Sequence, residues 1–113
     1  MIAEVVSLSG YEAQVSALLN EDERMAMEFF IACAPAKHPV IPGAGGFRKA
    51  RWARAGRGKS SGYRVIYFFL TEPGSIYMAA IYAKARKQTL SAADQQVLAK
   101  IAAQIKKSAS RGR

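Results

Sequence analysis

Two periodicities organise the chain. Positions 2–8, Ile2-Ala3-Glu4-Val5-Val6-Ser7-Leu8, are rich in β-branched residues and predict a short first strand. From Tyr11 the apolar positions change to helical spacing, Tyr11, Val15, Leu18 and Leu19, with Ser9 as the predicted cap. Asn20 interrupts this helix. Glu21, Asp22 and Glu23 then put negative charge in the first turn of a second predicted helix, where the backbone dipole favours it. That helix carries Met25, Met27, Phe29, Phe30, Ile31 and Cys33 and is expected to stop before Pro35. It is apolar most of the way round, so burial against a sheet or a partner is expected.

Pro35, Pro39, Pro42 and the run Gly43-Ala44-Gly45-Gly46 predict an irregular connection. Positions 47–54 alternate as a strand, with Lys49 and Arg51 on one face and Arg48, Ala50 and Trp52 on the other. Positions 56–62 read as a basic hairpin loop. Tyr63–Leu70 is apolar on both faces beyond its first residues, the pattern of a central strand. After a turn over 71–75, positions 76–83 form the next strand. Ser91 is placed to cap a final helix with Asp94 near its start and Val97, Leu98, Ile101 and Ile105 as its apolar stripe. The order β-α-α-β-β-β-α predicts an α+β domain with a largely antiparallel sheet flanked by helices. One domain is expected over 1–107, followed by a basic C-terminal tail, 108–113, that frays.

Composition narrows the class. A chain of 113 residues, half of them hydrophobic, can bury one core and has little room for a second. It contains no run of about 18 uncharged apolar residues and no basic-then-apolar leader pattern. The single cysteine, Cys33, excludes a disulfide framework and a cysteine-based zinc cage. A cytoplasmic protein is expected.

Charge changes the picture more. The formal charge of +9 is the difference between residues 1–36, at −5, and residues 37–113, at +14. Eight bases fall within 37–64, and no acid occurs from Phe29 through Thr71. Cations concentrated in this way repel one another unless an anionic partner or strong solvation offsets them.

Nucleotide motifs do not account for this block. Gly58-Lys59-Ser60 resembles the end of a phosphate-binding loop, but the required preceding glycine is Ala53 and a strand follows. Gly43-Ala44-Gly45 begins a dinucleotide fingerprint whose third glycine position is Arg48. One His and one Cys cannot supply a metal site. Cys33 is expected in the core of the second helix, and His38 reads first as a surface-loop residue, with general-base chemistry as its alternative. What remains is a set of cations interleaved with aromatics. Lys49, Arg51 and Arg64 fall on adjacent strands, with Tyr82, Lys84 and Arg86 at the end of the following one. Cations neutralise phosphates, and Tyr63, Tyr67, Tyr77 and Tyr82 could stack on unpaired bases or simply pack.

Three blocks carry a more specific likeness. Gly45-Gly46-Phe47-Arg48-Lys49-Ala50-Arg51-Trp52, then Gly58-Lys59-Ser60-Ser61-Gly62-Tyr63-Arg64-Val65-Ile66-Tyr67, then Ile81-Tyr82-Ala83-Lys84 resemble the RelE/ParE superfamily of toxins from type II toxin–antitoxin pairs, in its HigB-like branch. The likeness covers residues 40–90 well and the rest through element order. It implies a RelE-like fold and a ribosome-dependent endoribonuclease. Such an enzyme cuts mRNA in the A site of the 30S subunit by attack of the RNA's own 2′-hydroxyl, without metal or cofactor. It also implies an antitoxin partner, of helix-turn-helix type, and no membrane association.

Carried across by position, Lys49 and Arg51 match the family's basic pair on the second strand, and Arg64 would stabilise the pentavalent phosphate. Lys84 or Arg86 stands where the family keeps a basic residue after the last hairpin strand, and Tyr82 would stack on a base or contact the backbone. Arg48, Arg54, Arg57, Lys59, Arg86 and Lys87 complete the expected nucleic-acid contacts. One departure stands out: some relatives carry a C-terminal Tyr or His as general base, and none follows Tyr82 here. Lys49 with a lowered pKa, Tyr82 or His38 would then take that role, or the chain is a weak catalyst. Two alternatives share the sequence features: a non-catalytic ParE-like gyrase inhibitor and a plain RNA-binding module.

Overall fold

A computed structural model describes residues 4–53, 62–84 and 90–111. Its elements are β1 (Glu4–Ser7), α1 (Tyr11–Leu18), α2 (Glu21–Cys33), β2 (Arg48–Trp52), β3 (Tyr63–Leu70), β4 (Ser75–Ala83) and α3 (Ala92–Arg111). This is the α+β order β-α-α-β-β-β-α that the hydrophobic pattern predicts. The expected hairpin loop over 56–62 lies outside the described residues except for Gly62.

The strands form one sheet in the order β1-β4-β3-β2, with β1 parallel to β4 and the other pairs antiparallel. β3 and β4 are therefore interior strands, which is why their sequences are apolar on both faces. One face carries Ala50, Tyr63, Val65, Tyr67, Ile76, Met78 and Ile81 under Tyr11, Val15, Met27 and Ile31 of α1 and α2. The other carries Ile66 and Phe68 under Ala102 and Ile105 of α3, together with Phe47 and Ala44 of the connection.

β4 departs from simple alternation. Ile66 pairs with Ala80 while Tyr67 pairs with Met78, so Ala79 is an extra residue and β4 bulges there. Ile76 and Met78 face α1 and α2, but beyond the bulge it is Ile81 that does so, and Tyr82 turns to the α3 face. Continued alternation would have placed Tyr82 under the helical hairpin.

The starts of α2 and α3 follow side-chain capping. Asn20, expected only as an interruption, forms a capping box with Glu23: the Glu23 N–H donates to Asn20 Oδ1 at 2.8 Å and the Asn20 N–H to Glu23 Oε1 at 3.0 Å. Ser91 and Asp94 make the same reciprocal pair at 3.1 Å each. At α1 the expected cap is absent: the N-cap is Gly10, at φ 90°, without a side-chain hydrogen bond, rather than Ser9. The nearby polar groups are organised by Arg24 instead. Its guanidinium donates to both Glu12 oxygens at 2.8 and 2.7 Å and to Glu28 at 2.9 Å, while the Tyr11 hydroxyl donates to Glu28 at 2.6 Å. One base thus ties α1 to α2 and neutralises part of the acidic N-terminal third.

Three further expectations change. Cys33 is exposed rather than a core residue, because only the Met27–Ile31 side of α2 meets the sheet. Val97 is 56% exposed, so the buried stripe of α3 is carried by Ala102 and Ile105 with Leu98 and Ile101 partly covered. The helix also continues through Arg111, past the start of the expected tail at Ser108.

Gly45 shows what the glycine run does. At φ +70°, a Cβ there would lie 2.9 Å from the Ala99 Cα and 3.1 Å from the Ala102 Cβ. The run lets the connection approach the backbone of α3, where Lys106 also donates to the Gly45 carbonyl at 3.3 Å. Gly45→Ala is expected to lose about 1–3 kcal/mol in urea denaturation, from left-handed strain together with the backbone clash; an unchanged midpoint would show that α3 yields freely. A second test concerns acid. Hydrogen bonds from Arg24, then from Ser7, hold the Glu12 carboxyl down to about 2 from 4.5. The folded value lies below the unfolded one, so this contribution is complete above pH 4.5 and is lost as pH falls toward 2. Arg24→Gln should flatten the decline of Tm across that window.

Candidate nucleic-acid interface

Strand register brings the basic residues together. Arg51 lies directly opposite Arg64 across β2 and β3, Lys49 lies opposite Ile66, and Arg64 lies opposite Tyr82 across β3 and β4. Ile66 faces α3, so the period-two rule sends Lys49, Arg51 and Arg64 to that same face. Lys84, just past β4, is held by its backbone N–H on the Gly62 carbonyl at 3.2 Å. Lys49, Arg51, Arg64 and Lys84 line one open concavity of about 430 Å³ with His38 and Pro39. Arg51 and Arg64 also line an adjoining hollow of about 270 Å³ with Trp52, Ala53 and Gly62. The two hollows share these arginines and make a continuous basic groove at the β2–β3 end of the sheet.

This arrangement is electrostatically costly as it stands. Like charges directly opposite on neighbouring strands are destabilising. Arg64 is only 9% exposed, and its guanidinium Nη1 makes a long 3.4 Å hydrogen bond to the Tyr63 carbonyl. Among the described residues, no carboxylate lies within ion-pair distance of Lys49, Arg51, Arg64 or Lys84; the ion pairs there belong to Arg24. A desolvated cation without a counter-ion is strongly unfavourable, and an anion seated between Arg51 and Arg64 would relieve both terms.

His38 reaches the groove by a route that no local pattern announces. The 38–41 segment returns along the outer edge of β2: Lys49 N–H donates to the Pro39 carbonyl at 3.0 Å, Val40 bridges Arg48, and Ile41 N–H donates to the Phe47 carbonyl at 2.9 Å. Arg48, on the α1–α2 face, pins this segment by donating to the Ala36 and His38 carbonyls at 3.1 and 2.7 Å. The His38 ring sits 5.2 Å from Phe30 and 6.2 Å from Tyr67, with Nε2 buried and without a hydrogen bond. Burial, then the charges of Lys37 and Arg48, lower its pKa from 6.5, so it is neutral at physiological pH.

The remaining expected site residues are dispersed. Tyr82 lines a neighbouring, mainly apolar hollow of about 290 Å³ with Gln14, Ile81 and Leu98, not the cationic concavity. Tyr63 and Tyr67 are buried in the core under α1 and α2, and the Tyr67 hydroxyl donates to the Pro35 carbonyl at 2.6 Å. Burial pushes that hydroxyl up to about 12. Arg54, Arg57, Lys59, Arg86 and Lys87 lie outside the described residues.

Compared with known families, residues 42–112 match the family model described as the RelE toxin of the RelE / RelB toxin–antitoxin system. The match spans more than half of the chain and contains Lys49, Arg51, Arg64 and Lys84, but not His38 or the helical hairpin.

The environment of His38 can be checked by itself. Its imidazole resonances should titrate below pH 6.5, and Lys37→Ala should move the midpoint upward. A midpoint at or above 6.5 in the unaltered chain would place the ring in open solvent.

Proposed function

Since the chain belongs to the RelE toxin family and is the toxin of a toxin–antitoxin pair, we propose that it is a ribosome-dependent endoribonuclease of the HigB-like branch. It cuts mRNA in the ribosomal A site, in the cytoplasm, and a helix-turn-helix antitoxin restrains it. The observation that carries this reading is the pair Arg51 and Arg64, facing each other across β2 and β3 with no carboxylate partner among the described residues. A scissile phosphate between them supplies the missing negative charge.

The chemistry needs no metal in this reading. The 2′-hydroxyl attacks the adjacent phosphorus, the bond to the 5′-oxygen of the next nucleotide breaks, and a 2′,3′-cyclic phosphate and a 5′-hydroxyl result. Charge builds on the non-bridging oxygens, where Arg51 and Arg64 stabilise it. Lys49 and Lys84, on the same wall, hold the flanking backbone, and Lys49 also meets the developing charge. A proton acceptor must be uncharged before the step. His38 lines this concavity and is held neutral; with its Nε2 buried beside Phe30 and Tyr67, Nδ1 is the nitrogen left to take that role in place of the tail residue the chain lacks.

The test is in vitro translation followed by primer extension on the mRNA. New 5′ ends at the A-site codon are expected with the unaltered chain. Arg64→Lys should reduce cleavage about 10²-fold without the loss of buried cation that Arg64→Ala imposes, and Arg64→Ala should abolish it. Lys49→Ala should slow cleavage more than it weakens ribosome binding; equal loss of both would make it a phosphate anchor. His38→Asn should slow cleavage about 10²–10⁴-fold and remove the acid limb of the pH–rate profile, which lies below pH 6.5. Intact mRNA together with accumulated gyrase-cleaved DNA would replace this reading with topoisomerase inhibition.

A further inference from the structure

α2 buries one face and leaves another bare. Met27 and Ile31 are fully buried against the sheet, whereas Met25 is 64% exposed, Phe29 70% and Phe30 41%. With Ala26 and Cys33, also exposed, these residues follow helical spacing and form one continuous apolar stripe along the outside of the helix. A lone exposed apolar residue is ordinary, but two phenylalanines and a methionine adjoining on one helix are an unfilled contact surface.

The charges at the two ends of the stripe indicate what fills it. Its N-terminal end carries the exposed acids Glu21 and Asp22. Its C-terminal end meets a hollow of about 560 Å³ lined by Cys33, Lys37, Phe69 and Thr71, with the exposed Lys37 as its charge and no carboxylate in its wall. Glu21 opens the helix two turns before Phe29, and Lys37 lies in the turn just past its last residue, Cys33. A second α2 laid antiparallel with the two Phe29 side chains at the centre therefore sets the acidic N-terminal end of each copy toward the C-terminal end of the other, where Lys37 lies. The same arrangement sets Cys33 beside the partner's Met25 and opposes the two helix dipoles. A stripe that is complementary to itself under a two-fold rotation is what an isologous dimer requires.

We propose that the exposed face of α2 is a docking surface for a second copy of this chain, in an antiparallel α2–α2 dimer centred on Phe29. The helix spans only Glu21–Cys33, so the contact is small and the dimer is of the weak class, with a dissociation constant of about 10–100 μM. α2 packs on the face of the sheet away from α3, so Lys49, Arg51 and Arg64 of both copies stay open in the dimer, while Phe30 of the stripe lies against His38 of the groove wall, ring centroids 5.2 Å apart. The proposal is independent of the nuclease reading and stands or falls without it.

Sedimentation of the purified full chain, free of antitoxin, tests it. A concentration-dependent monomer–dimer equilibrium is expected, and Phe29→Asp should weaken it at least about tenfold, while its circular dichroism stays unchanged because the side chain is exposed. Lys37→Glu should weaken it as well, and adding Glu21→Lys and Asp22→Lys to that variant should restore it. Met25→Cys, with Cys33 retained, should give a covalent dimer under diamide far faster than the unaltered chain. A chain that stays monomeric at several hundred micromolar would overturn the proposal, as would an association indifferent to Phe29→Asp or to the charge reversals. Protection of α2 from hydrogen exchange only when the antitoxin is added, with the chain alone monomeric, would likewise overturn it and assign the stripe to that partner.

Discussion

β3 is buried on both faces, and the rest of the molecule is arranged around that requirement. A strand with large side chains pointing both ways cannot stand at a surface, so it needs a strand on each edge and a layer on each face. β2 and β4 supply the edges, α1 and α2 cover Val65 and Tyr67, and α3 with Phe47 covers Ile66 and Phe68. Arg64 is the one charged residue of this strand. Its position is dictated by the same alternation that buries its neighbours, which makes it a cation that neither retreats to solvent nor finds a carboxylate among the described residues. The site is therefore a consequence of the core and not an addition to its surface.

The bulge in β4 is the second element of this arrangement. By inserting Ala79, it keeps Ile81 under the helical hairpin and brings Tyr82 beside Arg64 on the other face. A strand that had to serve two layers with a single alternation would have lost either a core residue or the neighbour of the basic groove. Bulges of this kind redirect side chains at the cost of one ladder position.

Charge is divided between the layers in the same way. On the α1–α2 side, Arg24 gathers Glu12 and Glu28 into a satisfied network whose hydrogen bonds brace the hairpin. On the other side, cations face each other with no carboxylate within ion-pair distance among the described residues. The first network serves stability, and the second gives up stability that the proposed anionic ligand would return, the usual relation between a fold and its working site. The apolar stripe of α2 lies on the satisfied side and touches the groove wall through Phe30 against His38, so a contact made through it leaves the face of Lys49, Arg51 and Arg64 free.

Much of this was legible in the residues themselves. Period-two alternation in 47–54 already put Lys49 and Arg51 on one face, the two-sided apolarity of Tyr63–Leu70 marked an interior strand, and Ser91 with Asp94 announced the start of α3. These are properties of neighbours in sequence, and local geometry transmits them without help. What local geometry does not carry is the identity of distant partners. That Arg51 faces Arg64 depends on hairpin register, that Tyr82 changes face depends on one unpaired alanine, and that His38 reaches the groove depends on a loop returning along β2. Which side of α2 meets the sheet, leaving Phe29 and Cys33 outside, was likewise open until the layers were packed. The chain's periodicity and charge determined its elements and the concentration of cations on its strands; tertiary packing alone decided where the cations converge and which apolar face remains uncovered, because both depend on contacts between residues far apart in sequence.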